Sequence, residues 1–329
     1  MPDESLLEPP DGKAREPSGA ERRLRAAAVF LENGRIDEAW SEARRAGELA
    51  RETGDDSSLA RAENLLGEMA WDRGRWEEAS RLFGAAREHA ETAGDGPLLL
   101  WIESNDAAVH ADLGQGELAR ESLAAALSRL GLVDVHPEAI RVLRNLGRVL
   151  GAVDQVAAAD GLLVRAMMIA KRLADTSAGA MVAIERARVA LAHRDVVCAD
   201  ALLGTASALA GREESAALRA DSICLQGEVQ RMAGRLEAAE RSLLKAVELA
   251  EEAGSDGTAA RAWRELGELH AGRGRTADAL RALEAARLRF VALGARARAA
   301  EAARRAVEMG ALGSMSPPQG PVAAPEDRS

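Results

Sequence analysis

Three arginines share one face of a single predicted helix. In the segment EAIRVLRNLGRVLG, residues 138–151, Arg141, Arg144 and Arg148 fall within an arc of about 60° when each residue advances the helix by about 100°. The large apolar residues of the segment fall on the other side. A guanidinium group can hold a carboxylate or a phosphate through two parallel hydrogen bonds. This face is therefore a candidate anion-binding surface.

Four further residues belong to the same candidate surface. Arg188 follows Arg148 by 40 residues, a spacing that recurs throughout the chain, and Asn145 lies beside the arginines. Trp101 and Asn105 occupy the corresponding part of the preceding repeat. Two interpretations stay open: a solvated charged face in an arginine-rich chain, or a basic pocket midway along a groove.

The titratable residues do not form a catalytic or metal-binding pattern. The 5 histidines share no common spacing, and Cys198 and Cys224 match neither a zinc site nor a disulfide framework. The stretches GQGELA and GRGRTA imitate a dinucleotide fingerprint, but each joins two predicted helices rather than a strand and a helix. We therefore expect a protein without catalytic activity, bound metal or cofactor.

The charge and hydropathy of the chain limit its surroundings. A formal net charge of −10 argues against nucleic acid and anionic membranes, because both attract basic proteins. The sequence has no run of about 18 apolar residues, and its first residues lack the apolar core of a secretory signal. We expect a cytoplasmic protein that does not insert into a membrane and has no nucleic-acid partner.

The chain repeats itself with a period of 40 residues. Small residues recur in seven units at Ala39 and its equivalents, at Ala46 and its equivalents, and at Ala27 and its equivalents, which are alanine or glycine. Turns are predicted near Gly34, Gly74, Gly114, Asp154, Arg194, Gly234 and Gly274. With 2% aromatic residues, no tyrosine and many helix-forming residues, the chain favours helix over strand. Each unit is predicted to be a helix, a short turn and a second helix in close contact.

The repeats predict four segments. Residues 20–299 hold the seven units, and residues 300–312 form a helix that caps the last one. Residues 1–19 and 313–329 are rich in proline, glycine and serine and are predicted to be disordered. Irregular packing is expected near Asp154 and Arg194, where the repeat pattern is weakest.

The pattern of small residues resembles that of the tetratricopeptide repeat. Residues 262–286, AWRELGELHAGRGRTADALRALEAA, fit best, with matching residues Trp263, Leu266, Gly267, Ala279, Leu283 and Ala286. The period is 40 rather than the usual 34, and the closing proline is absent. The resemblance implies an all-α, right-handed superhelical α-solenoid of seven helix-turn-helix repeats plus a C-terminal capping helix. It also implies that the first helix of each unit lines a concave groove.

The resemblance implies a non-enzymatic scaffold that binds another protein or a peptide in that groove. The arginines would anchor acidic groups of the partner, with Trp101 and Asn105 at the rim. Only Asn105 and Arg141 match the clamp with which some relatives hold a C-terminal carboxylate, so that clamp is not expected. The alternative is a regulatory or sensor module that acts with a separate partner, because long-period arrays are similar to the helical regions of bacterial signal-transduction regulators. Neither hypothesis fixes the oligomeric state.

Overall fold

The chain folds into fifteen α-helices in the part that the computed structural model describes, residues 17–32, 35–132, 137–209 and 216–315. In chain order they are α1 (Gly19–Glu32), α2 (Ile36–Thr53), α3 (Asp56–Asp72), α4 (Trp76–Ala93), α5 (Gly96–Leu113), α6 (Gly116–Ser128), α7 (Pro137–Ala152), α8 (Val156–Arg172), α9 (Thr176–Ala192), α10 (Val196–Leu209), α11 (Ala216–Met232), α12 (Leu236–Glu252), α13 (Asp256–Gly272), α14 (Thr276–Ala292) and α15 (Arg296–Met315). A 3₁₀ turn, Leu130–Leu132, follows α6. Successive helices pair into seven hairpins, from α1 with α2 to α13 with α14, and α15 packs on α14. The predicted all-α solenoid with a capping helix is confirmed.

The turns inside the hairpins adopt the left-handed backbone conformation. Gly74, Gly114, Gly234 and Gly274 have φ between 71° and 76°. Asp154 and Arg194 occupy the equivalent turns with φ of 67° and 60°, although a side chain disfavours this conformation. Gly34 lies outside the described residues. The two units that match the repeat pattern least therefore still form hairpins with the common turn, and the packing of their helices holds it.

The irregular places in the solenoid are two short second helices. α6 and α10 have 13 and 14 residues, whereas the other second helices have 17 or 18. Each of these two helices contacts the following helix less than its equivalents do. Only one of the two, α10, lies in a unit where irregularity is expected from the sequence.

Aspartates that recur in the repeat begin several first helices. The carboxylates of Asp55, Asp95 and Asp175 each accept a hydrogen bond from the backbone N–H three residues later, at 2.8–3.0 Å. α1 begins with a capping box, in which Glu21 N–H donates to the Ser18 hydroxyl and Ser18 N–H donates to the Glu21 carboxylate. These side chains satisfy backbone donors that the first turn of a helix leaves free.

The small residues of the repeat receive large residues from the partner helix. A Cβ atom added to Gly67 would lie 2.6 Å from the Phe83 ring, and one added to Gly267 would lie 2.7 Å from Leu283 Cγ. Gly147 and Gly227 meet Leu163 and Leu243 in the same way. All four of these large side chains are fully buried. The two helices of a hairpin can approach closely only because the first helix has no side chain there.

The final helix is longer than the predicted capping segment. Gly294, with φ of 75°, ends the preceding segment, so α15 begins at Arg296 rather than at residue 300. The helix continues to Met315, and no proline interrupts it. Residues 1–16 and 316–329, which include most of the two predicted tails, lie outside the described residues. No helix in the described part of the chain is both long and apolar enough to cross a membrane.

The C-terminal end of the superhelix meets its second and third hairpins. Trp76 at the start of α4 packs against Gly257 in α13, where an added Cβ would lie 2.9 Å from the indole ring. Leu293 packs against Gly74 in the same way. Arg298 in α15 donates a hydrogen bond to the Ala111 carbonyl at 3.0 Å. One buried apolar cluster joins residues of the second and third hairpins to those of the seventh hairpin and α15. The chain thus completes a turn and closes on itself.

The close contact inside each hairpin predicts how a glycine-to-alanine substitution changes the stability of the protein, and a second glycine serves as the control. Glycine to alanine in a helix ordinarily stabilises it by about 1 kcal/mol. We expect Gly267→Ala to destabilise the protein instead, because the new methyl group overlaps Leu283, an overpacking that costs about 1–3 kcal/mol. The control is Gly161→Ala in α8, where nothing lies within 4 Å of the new Cβ, and it should raise the stability. Urea denaturation measures both, and a stabilised Gly267→Ala variant would refute the packing argument.

Candidate functional site

The superhelix borders a cavity of about 800 Å³ that is partly open to solvent. Its wall comes from the first helices of the second to seventh hairpins and from α15. The acidic residues of the wall are Asp72, Asp112, Glu185, Asp221, Glu228, Asp256, Glu265 and Glu301, and the basic residues are Arg148, Arg188, Arg261, Arg264, Arg298 and Arg304. The fold therefore turns the expected concave groove into a charged cavity, because α15 covers it.

Arg148 is the centre of the first group of charges in the wall. Its Nη1 donates to both carboxylate oxygens of Asp112 at 3.0 Å, and its guanidinium lies 5.0 Å from the centre of the Trp71 ring. The Trp71 indole N–H also donates to Asp112, at 2.8 Å. Burial alone would raise the pKa of Asp112, but Arg148, Arg298 and the Trp71 N–H hold it below its usual range. Asp112 is thus an ionised acceptor whose oxygens are already engaged.

Arg188 belongs to a second group, which links three hairpins. It donates to Asp221 at 2.7 Å and to Glu185 at 3.1 Å. Arg261 of α13 donates to the other oxygen of Asp221. Burial alone would lower the pKa of Arg188, but Asp221 and Glu185 raise it above its ordinary value. This group therefore consists of charged side chains that neutralise one another.

A third group lies at the junction of α11 and α13. Glu265 accepts two hydrogen bonds from Arg231, at 2.8 and 3.1 Å, and one from Arg264 at 2.8 Å. Glu228 has no hydrogen bond or ion pair to any residue in the described part of the chain. Burial and the negative charge of Glu265 raise the pKa of Glu228 to about 7, against the opposing effect of Arg264 and Arg231. Glu228 is therefore a carboxylate that gains and loses its proton near neutral pH.

The structure brings two of the seven candidate residues to the cavity, Arg148 and Arg188. Arg141 forms an ion pair with Glu68 and lies 5.5 Å from the centre of the Trp101 ring. Arg144 has no carboxylate within ion-pair distance in the described residues, and its Nη1 donates to the Met181 sulfur at 3.0 Å. Three of the four arginines are thus already paired with acidic residues of this chain.

The two candidate asparagines are buried rather than placed at a rim, which corrects the expectation for Asn105. Asn105 donates to Asn64 at 3.1 Å and to Glu68 at 2.8 Å, and it accepts from Asn145 at 2.8 Å. Asn105 has 0% and Asn145 2% of its surface exposed. The asparagines form a polar ladder that joins α3, α5 and α7. They stabilise the stack and are not accessible to a partner.

Sequence analysis missed Arg261, Arg264 and Arg298. Arg261 and Arg264 occupy the repeat positions of Arg141 and Arg144, so extending the register by 120 residues would have identified them. Arg298 carries no such signal, because it reaches the wall only when the superhelix closes. Contacts between distant units depend on the curvature of the stack, which no local pattern encodes.

The described residues contain no group of three or more histidine, cysteine, aspartate or glutamate side chains that could hold a metal ion. No histidine is among the wall residues, and Cys224 is the cysteine there. Burial raises the pKa of the Cys224 thiol well above its ordinary value, which disfavours the reactive thiolate.

No protein-family model matches the chain, and no curated protein sequence matches it. Several solved structures have a fold similar to that of this chain. A Rap protein complexed with competence and sporulation factor has 15% identity and a TM-score of 0.62, covering 92% of this chain and 89% of its own. The apo form of RapI has 14% identity and a TM-score of 0.53, covering 90% and 86%.

A third structure decides the type of repeat. It is a STAND (signal transduction ATPase with numerous domains) protein with a tetratricopeptide repeat sensor from Pyrococcus horikoshii, with 14% identity and a TM-score of 0.50. The match covers 82% of this chain and 43% of that one. The chain has the tetratricopeptide-repeat fold. At these identities the similarity is one of fold, and the tetratricopeptide-repeat units of this chain are distinguished by their 40-residue period.

The asparagine ladder predicts a stability change. Asn105→Ala should destabilise the protein by about 1–3 kcal/mol, because it leaves polar groups of Asn64, Glu68 and Asn145 buried without a partner. The comparison variant is Arg120→Ala, which removes only the exposed ion pair with Glu117 and should change stability by less than about 0.5 kcal/mol. Urea denaturation of both variants tests the ladder, and equal losses would contradict it.

Glu228 predicts a pH dependence. Its folded pKa of about 7 lies above the ordinary value of 4.5, so the folded state disfavours the ionised form and loses stability as the pH rises between these values. Glu228→Gln removes this penalty. We expect the variant to raise Tm at pH 8 and to have a diminishing effect as the pH falls towards 4.5. A Tm difference that is the same at pH 5 and pH 8 would contradict the shift.

Proposed function

We propose that this chain is a non-enzymatic binding protein that holds a peptide, or a segment of another protein, in the cavity enclosed by its superhelix. The observation that carries the proposal is the cavity itself. Its volume of about 800 Å³ falls within the range of about 300–1,000 Å³ that is usual for ligand sites. Six hairpins and α15 contribute to its wall, so a bound segment can contact most of the chain at once.

The chemistry of the wall favours binding over catalysis. Asp112, Asp221 and Glu265 each accept hydrogen bonds from arginines, so their carboxylate oxygens are already engaged. General acid–base catalysis needs a group that is free to exchange a proton with the substrate, most often a histidine. Apart from Glu228, the wall residues described above form fixed ion pairs and hydrogen bonds, and such groups suit the recognition of a polar segment.

A second candidate function is regulation of a separate protein by the bound segment. The fold similarity favours it, because one similar structure is a Rap protein complexed with competence and sporulation factor and another carries its repeats as a sensor. The closure supplies a physical route. A ligand that fills the cavity contacts both ends of the superhelix, so it would stabilise the closed state over an open one.

The test fills the cavity without disturbing the core. Ala192 is an exposed residue of the cavity wall, so Ala192→Trp places a large ring in the cavity. Ala158→Trp is the matched control, because Ala158 is equally exposed on α8 and lies outside the wall. Each tagged protein is used to capture partners from native lysate, which are then quantified by mass spectrometry.

We expect at least one partner to bind the wild type and Ala158→Trp and to be lost from Ala192→Trp. Circular dichroism establishes that the three proteins are equally helical. If all three capture the same partners in the same amounts, the cavity is not the binding site.

A further inference from the structure

The cavity wall contains two buried arginine N–H groups that have no acceptor among the described residues. Arg148 Nη2 and Arg264 Nε are buried and have no hydrogen-bond partner in the described part of the chain. Both residues line the cavity, and both are otherwise engaged, Arg148 with Asp112 and Arg264 with Glu265. A buried donor without an acceptor costs free energy, so in folded proteins such groups usually have a partner, a bound water or a ligand.

A third arginine, Arg298, adds positive charge at the same place. Its guanidinium donates to the Ala111 carbonyl at 3.0 Å, and the Asp112 oxygen that pairs with it is 3.8 Å away. Burial lowers the pKa of Arg298; Asp112 opposes the shift, and the nearby charges of Arg264, Arg148 and Arg188 add to it. The guanidinium groups of Arg148, Arg264 and Arg188 thus lie near that of Arg298, and Asp112 already accepts three hydrogen bonds.

The acidic residues of the wall do not supply the missing acceptors. Asp112 already accepts from Arg148 and Trp71, and Glu265 accepts from Arg231 and Arg264. Glu228 is unpaired, yet it leaves Arg264 Nε without a partner. Two buried guanidinium N–H groups of the wall therefore lack an acceptor among the described residues, and an oxyanion from outside the chain would supply one.

We propose that Arg148, Arg264 and Arg298 form an oxyanion subsite that binds a carboxylate group of the segment held in the cavity. The inference rests on the proposed function and specifies the chemistry of its ligand. A carboxylate fits better than a phosphate, because the unpaired Glu228 near Arg264 repels a second negative charge. A peptide also carries backbone N–H groups that can donate to Glu228.

The subsite links the middle of the superhelix to its C-terminal end. Arg148 belongs to the fourth hairpin, Arg264 to the seventh, and Arg298 to α15. A carboxylate bound among the three guanidinium groups would reduce the repulsion between Arg298 of α15 and the two arginines of the hairpins. Binding of the carboxylate should therefore also stabilise the contact that closes the superhelix.

The test uses two capped pentapeptides that differ only in charge, acetyl-Gly-Gly-Asp-Gly-Gly-amide and its Asn counterpart. Isothermal titration calorimetry at constant ionic strength measures their binding to the full chain. We expect the Asp peptide to bind at one site per chain and the Asn peptide to bind at least about tenfold more weakly, since hydrogen bonds to charged groups are the stronger kind. Inorganic phosphate, titrated separately, should bind more weakly than the Asp peptide.

Arg264→Gln and Arg298→Gln should each weaken the Asp peptide at least about tenfold and leave the Asn peptide unchanged. Among the described residues, the ion-pair partner of Arg264 is its neighbour Glu265 in the same helix. We therefore expect Arg264→Gln to keep the closing contact intact even if Arg298→Gln does not. The control is Arg287→Gln, which removes a surface pair with Glu284 and should have no effect. Thermal melts followed by circular dichroism verify folding.

Equal affinities for the two peptides, unchanged affinity in Arg264→Gln, tighter binding of phosphate, or no binding of the Asp peptide would each overturn the subsite. These results are separable from failure of the proposed function. If Ala192→Trp loses a partner that Arg264→Gln still captures, the cavity is the binding site and the oxyanion subsite is wrong.

Discussion

The cavity depends on the contact that closes the superhelix. Trp76 is 6% exposed and lies against Gly257, while Leu293 lies against Gly74. Neither glycine could carry a Cβ without displacing its neighbour, so the two ends are fitted as closely as helices within a hairpin. Without this contact the first helices would border an open groove. The closure is therefore what brings Arg298 to residues almost 190 positions earlier, such as Ala111.

Close packing inside each hairpin makes that closure reproducible. In four of the hairpins a glycine of the first helix receives a leucine or phenylalanine of the second, which fixes the distance between the two helices. Because a small residue, alanine or glycine, recurs at this position every 40 residues, each hairpin is placed on the previous one with a similar small rotation. Small rotations accumulate over the units until the seventh hairpin reaches the second. A change in one hairpin would thus be transmitted to the closing contact.

Local patterns predicted the hairpins because each depends on residues close in sequence. The turn at Asp154 was placed correctly without a glycine, since the spacing of Ala159 and Gly147 already fixed the hairpin. The site was predicted less well. Arg148 lies in the cavity wall, but helical periodicity could not show that Asp112, 36 residues away in the sequence, pairs with its guanidinium.

Asn105 illustrates the same limit. Its position on the first helix suggested the groove, whereas its neighbours at the same level are Asn64 and Asn145, and the three bury one another's amides. A polar side chain at this position can face solvent or contact the equivalent residue of the next repeat. Which of the two occurs depends on the curvature of the stack and on the residue one unit away. Both are properties of the assembled solenoid rather than of one helix.

The charged wall also explains why a cavity persists inside a protein rich in alanine. Apolar side chains facing one another across the superhelix would gain free energy by collapsing together. The ion pairs of Arg188 with Asp221 and of Arg231 with Glu265 join neighbouring units while keeping polar groups towards the interior. Charged groups resist transfer into an apolar contact, which favours an open cavity over a collapsed one. The same charges that hold adjacent hairpins together thus preserve a polar space, in which Arg148 and Arg264 retain donors for a ligand.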